Sequence, residues 1–258
     1  MTASTNGVDI SFIVPAYNEE KGIGKCLEAI IQELGGNPNL EGEIIVVNNA
    51  CTDNTKQVAL TYPGVKVVDE NQKGLVFARA AGATAASGEL LAHIDADCLI
   101  PQGWLKTVMG EFATDTNLVA LSGPHFYYDL YNQLNWFQKF LVKAYHSISY
   151  WVYLTNRYVL RIGSILQGGN FVVRKWAWER IGKADASISF YGEDTDLCQR
   201  LFKIGNVKFT PKLTVSASGR RLKKEGVATI GWRYVINYFS VLFFKKPVTK
   251  NYSDIRSS

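Results

Sequence analysis

Asp95 and Asp97 stand one residue apart in HIDADCLIP, directly after an apolar run at residues 89–94 that reads as a buried strand. Two carboxylates at a strand end have two ordinary uses. They can solvate a loop or cap the helix that the sequence starts near Gly103. They can also hold a divalent cation, because Asp offers the hard anionic oxygen that Mg²⁺ or Mn²⁺ prefers. Such ions are usually held by one or two carboxylates plus the phosphates of a substrate. The spacing alone leaves both uses open. A second acidic group, Glu193, Asp194 and Asp196 in GEDTD, opens a helical pattern late in the chain, where an Asp is a common N-cap.

The elements that must position these groups alternate in type. DISFIVPAYN reads as a strand ending at Pro15, and Ile23, Leu27, Ile30, Ile31 and Leu34 then recur at helical spacing until Gly35 and Gly36. GEIIVVNN is a second strand, followed by a helix capped from Thr52 or Asp53. GVKVVD is a third, then comes the alanine-rich helix GLVFARAAGATAASG, and ELLAHID is the fourth strand. Strands that are apolar throughout, alternating with helices, predict an α/β fold: a mostly parallel sheet covered by helices on both faces. Ligands of such sheets bind beyond the carboxyl ends of the strands. Asn18, Asn48, Asp69 and the Asp95/Asp97 pair all fall on that rim.

Beyond Gly123 the composition changes. Residues 126–158 are crowded with aromatics and predict one or two helices beside the sheet. NFVVR predicts a short strand and KWAWERIG a helix. GEDTDLCQRLFKIG predicts a helix with Leu197, Leu201 and Phe202 on its inner face. An apolar helical pattern then runs to Lys245 and Lys246.

Composition narrows the function classes. The 258 residues are 47% hydrophobic and 20% charged, with a formal net charge of +5. That dispersed basicity does not indicate nucleic acid, and suits an anionic small molecule or an anionic membrane surface. Cys26, Cys51, Cys98 and Cys198 form no CxxC pair, so they predict neither a zinc site nor a disulfide framework, and reduced thiols in a cytoplasmic setting. The N-terminal residues lack a leader pattern, and no stretch is counted as reaching the ~18 apolar residues of a membrane span. His93, His125 and His146 do not cluster and predict packing or surface roles.

Four motifs occur in order: VPAYNEE after the first strand, VVNNACTDNT after the second, KGLVFARAAGATAASGELLAHIDADC at the fourth, and YGEDTDLCQRL late in the chain. In order and approximate spacing the sequence resembles the family-2 glycosyltransferases, inverting enzymes of GT-A fold, over about residues 9 to 220. The resemblance implies a single GT-A-type domain across residues 1–258. A nucleotide-sugar-binding half would span 9–122, an acceptor and catalytic half 123–225, and an amphipathic helix and tail 226–258. It implies a nucleotide-diphosphate sugar as donor and a divalent metal, Mg²⁺ or Mn²⁺, as cofactor. The acceptor would be a glycan or a lipid-linked hydroxyl.

The same resemblance distributes roles. Asp97 matches the metal ligand, and Asp95 the acid that accepts hydrogen bonds from the ribose diol. Asp194 matches the catalytic carboxylate that takes the acceptor proton, with Glu193 beside it. Pro15, Tyr17, Asn18, Glu19 and Lys73 fall on the donor side, where Tyr17 can lie against a nucleobase; a plain turn after Pro15 is the other reading. Asn49 stands where many relatives have an acid facing uracil, and its amide oxygen can still accept. Gly169, in QGGN, matches a Gly-rich turn near the donor sugar, although any tight turn uses such glycines. Where some relatives carry a metal-binding His after the catalytic helix, TVSASGRR has only Ser216 and Ser218, followed by Arg220 and Arg221. They offer guanidinium groups to the diphosphate or simply form a solvated basic turn. The Gln-x-x-Arg-Trp motif of processive synthases is absent from QRLFK, which disfavours a polymerising enzyme.

The aromatic segment and the C-terminal helix admit a core, a sugar groove, or contact of a peripheral protein with the inner membrane face. Rival functions are a non-catalytic nucleotide-sugar or carbohydrate-binding protein of the same fold and, more distantly, an Asp-x-Asp phosphatase. The phosphatase would place its pair after the first strand. A dehydrogenase is disfavoured, since VPAYNEEKGIG lacks the Gly-x-Gly-x-x-Gly turn.

Overall fold

The computed structural model describes residues 7–131, 135–160, 165–182, 192–244 and 246–249. Tyr191 of the fourth motif, the His146 side chain, Lys245 and the tail from residue 250 lie outside the described residues.

In chain order the elements are β1 (Ile10–Ala16), α1 (Ile23–Gly35), β2 (Gly42–Asn49), α2 (Thr55–Leu60), β3 (Val65–Glu70), α3 (Leu75–Ala85), β4 (Leu90–Ile94) and β5 (Cys98–Leu99). There follow α4 (Trp104–Thr114), β6 (Leu118–Ser122), β7 (His125–Tyr127), α5 (Tyr128–Tyr131) and α6 (Trp136–Leu154), which runs into a π-helical turn at Thr155–Leu160. The chain continues with β8 (Asn170–Arg174), α7 (Lys175–Ile181), α8 (Glu193–Phe202), β9 (Asn206–Phe209), β10 (Val215–Ala217), α9 (Arg220–Glu225) and α10 (Val227–Phe244).

A seven-stranded sheet in the order β3-β2-β1-β4-β8-β6-β9 forms the centre. The inner strands β1, β4 and β6 are buried along their whole length because helices cover both faces. Phe12, Val14, Ile44 and Val46 pack with Leu27, Ile30, Trp104, Leu105 and Val108 of α1 and α4. On the opposite face Ile13, Ile45, Val47, Leu91 and Phe171 pack with Ala78, Ala177, Leu197 and Leu201 of α3, α7 and α8. The predicted mostly parallel sheet with helices on both faces is the observed one.

One strand departs from the parallel rule, and it matters for the site. β8 runs antiparallel to both β4 and β6, with His93 opposite Phe171 and Ile94 opposite Asn170. That register delivers Gln167, Gly168 and Gly169 to the carboxyl end of β4, beside Asp95. A small second sheet, β5-β10-β7, does the same from the other side. β10 pairs antiparallel with β5, Ala217 opposite Cys98, and so brings Arg220 to Asp97. These two- and three-residue strands carry no readable period, so the sequence does not predict them.

Two expectations are corrected. α10 spans 18 residues with a mean hydropathy of 1.2, so one helix is long and apolar enough to cross a membrane by length and composition. Counting consecutive apolar residues misses it because Arg233 and Asn237 interrupt the run. The helix after β2 starts at Thr55, later than expected. Asp53 nevertheless does the capping work, its Oδ1 accepting from Thr55 N–H (3.0 Å) and Thr55 Oγ1–H (2.5 Å).

Candidate active site

The capping alternative for Asp95 and Asp97 fails on hydrogen bonds. At the start of α4 the buried carboxylate of Glu33 accepts from the N–H groups of Gly103 and Leu105, at 3.0 and 2.8 Å. With that helix end satisfied from α1, the Asp95 and Asp97 side chains remain at the rim, part-exposed. Asp194 is not a cap either. Gly192 holds the cap position of α8, and Asp194 sits in the first turn with its Oδ2 accepting from Gly168 N–H at 2.9 Å. The helix dipole favours an acid there, which is why three fit in one turn.

Asp95 and Asp194 come together through a residue the sequence reading passed over. Arg79, on α3, is 1% exposed and donates from Nη1 to Glu193 Oε2 at 2.7 Å. Its Nη2 lies 3.7 Å from Asp95 Oδ1, and its Nη1 lies 3.6 Å from Asp194 Oδ1. A single buried cation therefore serves three carboxylates. Its Nε and Nη2 have no hydrogen-bond partner among the described residues. The available signal was a lone arginine in the middle of the alanine-rich helix LVFARAAGATA. Burial pushes the Asp194 and Glu193 carboxyls above the usual range, and the Arg79 charge opposes that rise.

Two glycines make room for the carboxylates. A Cβ on Gly168 would lie 2.7 Å from Asp194 Oδ2, and one on Gly169 only 2.2 Å from Asp95 Oδ2. Gly169 also has φ +75°, a conformation that side chains disfavour. Its carbonyl accepts from Asp95 N–H at 3.2 Å. Gly169→Ala is therefore expected to displace the Asp95 side chain. Donor affinity should fall by at least ~10-fold in calorimetric titration, with the thermal midpoint lowered as well. An affinity equal to wild type would separate Asp95 from donor binding.

The other predicted residues are distributed unevenly. Pro15, Tyr17, Lys73, Asp95, Asp97, Gly168 and Asp194 line one cavity of about 340 Å³. Lys73 Nζ lies 3.9 Å over the Tyr17 ring and 2.7 Å from its hydroxyl. Asn49 lines the same cavity, but its side chain clips the following loop. Its Oδ1 accepts from Gly74 N–H (2.8 Å), and its amide donates to the Glu70 and Gln72 carbonyls (3.0 and 2.7 Å). Asn18, at φ +51°, ties the first two strand ends together through Thr52. Glu19 is buried and binds Arg220 at 2.8 and 2.9 Å, so it presents no free carboxylate to a nucleotide. Arg220 donates to Asp97 as well, at 3.0 Å, and Arg221 pairs with Glu225. Asp196 pairs with Arg200 one turn on. His93 is buried between the rings of Phe171 and Trp178, at 4.5 and 4.8 Å, a packing role.

The donor set around Asp97 suits a hard cation shared with a diphosphate. Among the described residues no cluster of three or more His, Cys, Asp or Glu could hold an ion by itself. One carboxylate oxygen with a neighbouring acid, open to the cavity, leaves the remaining positions to phosphate and water.

The sequence model described as Glycosyl transferase family 2 matches residues 11–182 of the chain. Glycosyltransferase AglE of Haloferax volcanii is 35% identical over 102 residues, 38% of this chain and 33% of that protein. A dolichyl-phosphate beta-glucosyltransferase of Trichomonas vaginalis is 35% identical over 103 residues, 36% of this chain and 31% of that one. The matched stretches span about a third of the length of these relatives. Among solved structures, mannosyltransferase PcManGT from Pyrobaculum calidifontis, in complex with GDP-Man and Mn²⁺, superposes with a TM-score of 0.66 at 22% identity. The match covers 93% of this chain and 64% of that one. Glucosyl-3-phosphoglycerate synthase from Mycobacterium tuberculosis, with Mn²⁺ and UDP-glucose, gives 0.59 at 18% identity, over 92% and 79%. At these identities the likeness speaks to the fold, an α/β architecture of GT-A type.

Proposed function

The chain belongs to glycosyl transferase family 2, and on that premise we propose that it moves one sugar, with inversion, from a nucleotide-diphosphate sugar to an acceptor hydroxyl. The observation that carries this reading is convergence: Asp95, Asp97 and Asp194, from distant parts of the sequence, line one cavity. Lys73 and Tyr17 line it too. A diphosphate meets the Lys73 charge there, and the Tyr17 ring offers a face to the base.

In this reading Asp95 accepts from the ribose diol while the Arg79 cation and the Gly169 backbone fix its position. Asp97 would hold Mg²⁺ or Mn²⁺, with Asp95 nearby. When bound, the ion supplies Lewis-acid neutralisation of the leaving diphosphate. Arg220 steadies Asp97 from below and is itself anchored on Glu19.

Asp194 is the base. As the acceptor oxygen bonds to the anomeric carbon, the bond to the diphosphate breaks and takes its electron pair with it, and the acceptor proton passes to the Asp194 carboxylate. Gly168 N–H and the Arg79 guanidinium hold that carboxylate in one orientation. Its side chain stays 30% exposed, so an acceptor can reach it. Burial raises its proton affinity, which brings a carboxylate nearer to the range in which a base works well. The acceptor is a glycan or a lipid-linked hydroxyl.

Calorimetric titration with donor, with Mn²⁺ and then with chelator, tests the metal and the donor together. Asp97→Asn keeps the shape but removes the anionic oxygen, so donor affinity is expected to drop by roughly 10²-fold, the scale of losing a charge-assisted ligand. Affinity that is indifferent to both chelator and the substitution would remove Asp97 as a metal ligand. Failure of every nucleotide-diphosphate sugar to bind would remove the transferase reading itself.

A further inference from the structure

α10 reverses the ordinary pattern of a surface helix, which turns its apolar stripe inward. Ile230, Asn237 and Val241 are buried against the protein. Asn237 is satisfied within the chain by Arg233 and Thr249. The outward stripe is Trp232, Val235, Phe239 and Phe243, at i, i+3, i+7 and i+11. Trp232 and Phe243 are 66% and 65% exposed. α6 shows a second such stripe in Phe137, Phe140, Ile148 and Trp151, with Trp136 at its start. Singly scattered apolar residues are normal on a surface, but two rows of large exposed ones at helical spacing are not.

The two stripes belong to one face. Asn156, just beyond α6, hydrogen-bonds the Tyr238 hydroxyl of α10, and Ile148 shares a cavity wall with Val235 and Phe239. Asp95, Asp97 and Asp194 line the same cavity. Val235 and Phe239 thus belong both to the outer stripe and to the cavity, so the site is continuous with the apolar face.

Charge says what covers this face. Neither α6 nor α10 carries an acidic residue. Lys223 and Lys224 are exposed just before α10, and Lys246 is exposed just after it. Glu225, the acid that directly precedes α10, pairs with Arg221 and Arg233. An apolar stripe along the whole helix with cations at both ends fits a helix lying in the plane of an interface, its lysines at anionic headgroups. We propose that the α6–α10 face docks on an anionic lipid bilayer, which places the apolar residues that this face shares with the cavity, Ile148, Val235 and Phe239, at the membrane. That consequence for the acceptor, which would arrive with an apolar tail, rests on the transferase reading; the docking does not.

Flotation of the full chain with vesicles tests this. Wild type is expected to float with phosphatidylcholine–phosphatidylglycerol vesicles, and to bind vesicles of phosphatidylcholine alone much less. Lys223→Ala with Lys224→Ala should lower partitioning by about 10-fold or more, and Trp232→Glu with Phe243→Glu should abolish it. Neither pair lines the cavity, so Mn²⁺-dependent donor binding should be unchanged in both variants. A wild-type chain that stays with the unbound fraction overturns the proposal. So does vesicle binding that survives Trp232→Glu with Phe243→Glu. Self-association that rises with concentration and is lost in that same variant would assign the face to a second copy, and also overturns it. Flotation without any donor binding would instead remove the transferase reading and leave the docking standing.

Discussion

Asp194→Asn is expected to bind donor and metal as wild type does while transfer to acceptor falls by roughly 10²–10⁴-fold, the range for losing a general base. The structure sharpens this test. Asn is as good a helix cap as Asp, but Gly192 holds the cap position of α8 and Asp194 bonds Gly168 instead. An amide oxygen can keep that bond, so the fold and the QGGN turn should survive. What the amide cannot do is take a proton from an attacking hydroxyl. The measurement is single-turnover transfer alongside calorimetric donor binding, which separates chemistry from affinity. Transfer within a few-fold of wild type in a folded variant would leave the mechanism without its base. Glu193 would be a poor substitute, because it is buried and bonded to Arg79 at 2.7 Å.

Arg79→Gln should have the largest effect on stability. The side chain sits beneath Asp95, Glu193 and Asp194, and Glu193 is as buried as Arg79 itself. Removing one partner of a buried ion pair strands the other, at a cost of about 3–5 kcal/mol. The loss should depend on pH in a definite direction. Burial already raises the Glu193 carboxyl above its ordinary value, and the Arg79 charge opposes that rise. Without Arg79 the folded-state pKa climbs further above the unfolded one. A carboxyl raised in this way contributes stability that is complete below the unfolded pKa and is lost as pH rises through the folded pKa. The deficit of the variant should therefore be large at neutral pH and shrink on acidification toward pH ~4, the unfolded value for Glu. Urea denaturation at the two pH values reads this directly. A deficit that does not vary with pH would mean that Arg79 acts by packing, for instance through its contact with the Phe171 ring at 5.3 Å, and not by charge.

The order of strands and helices in the first half was legible because each signal is local. A parallel strand covered on both faces reads as a largely apolar run, as β1, β4 and the Ile44–Val47 centre of β2 do. The helix periods of α1 and α8 are equally local, and so is the placing of Asp95, Asp97 and Asp194 at element ends. Chain order also sufficed for the family, since four motifs in sequence need no coordinates.

Tertiary structure alone decided what these groups touch. Arg79 meets Glu193 across 114 residues of sequence, and Arg220 meets Asp97 across 123 and Glu19 across 201. Glu33 of α1 satisfies the start of α4, which frees the aspartates from the capping role that the sequence allowed them. Asn49, which lines the cavity, bonds the loop after β3 as well, and Glu19 bonds Arg220, partners that the sequence does not show. The physical reason is common to all of these. A charged or amide side chain bonds whichever complementary group the packed elements bring within about 3 Å. At the carboxylates that choice is set by the direction of β8, which its residues do not reveal, and by the short β5–β10 pairing, which leaves no periodic trace.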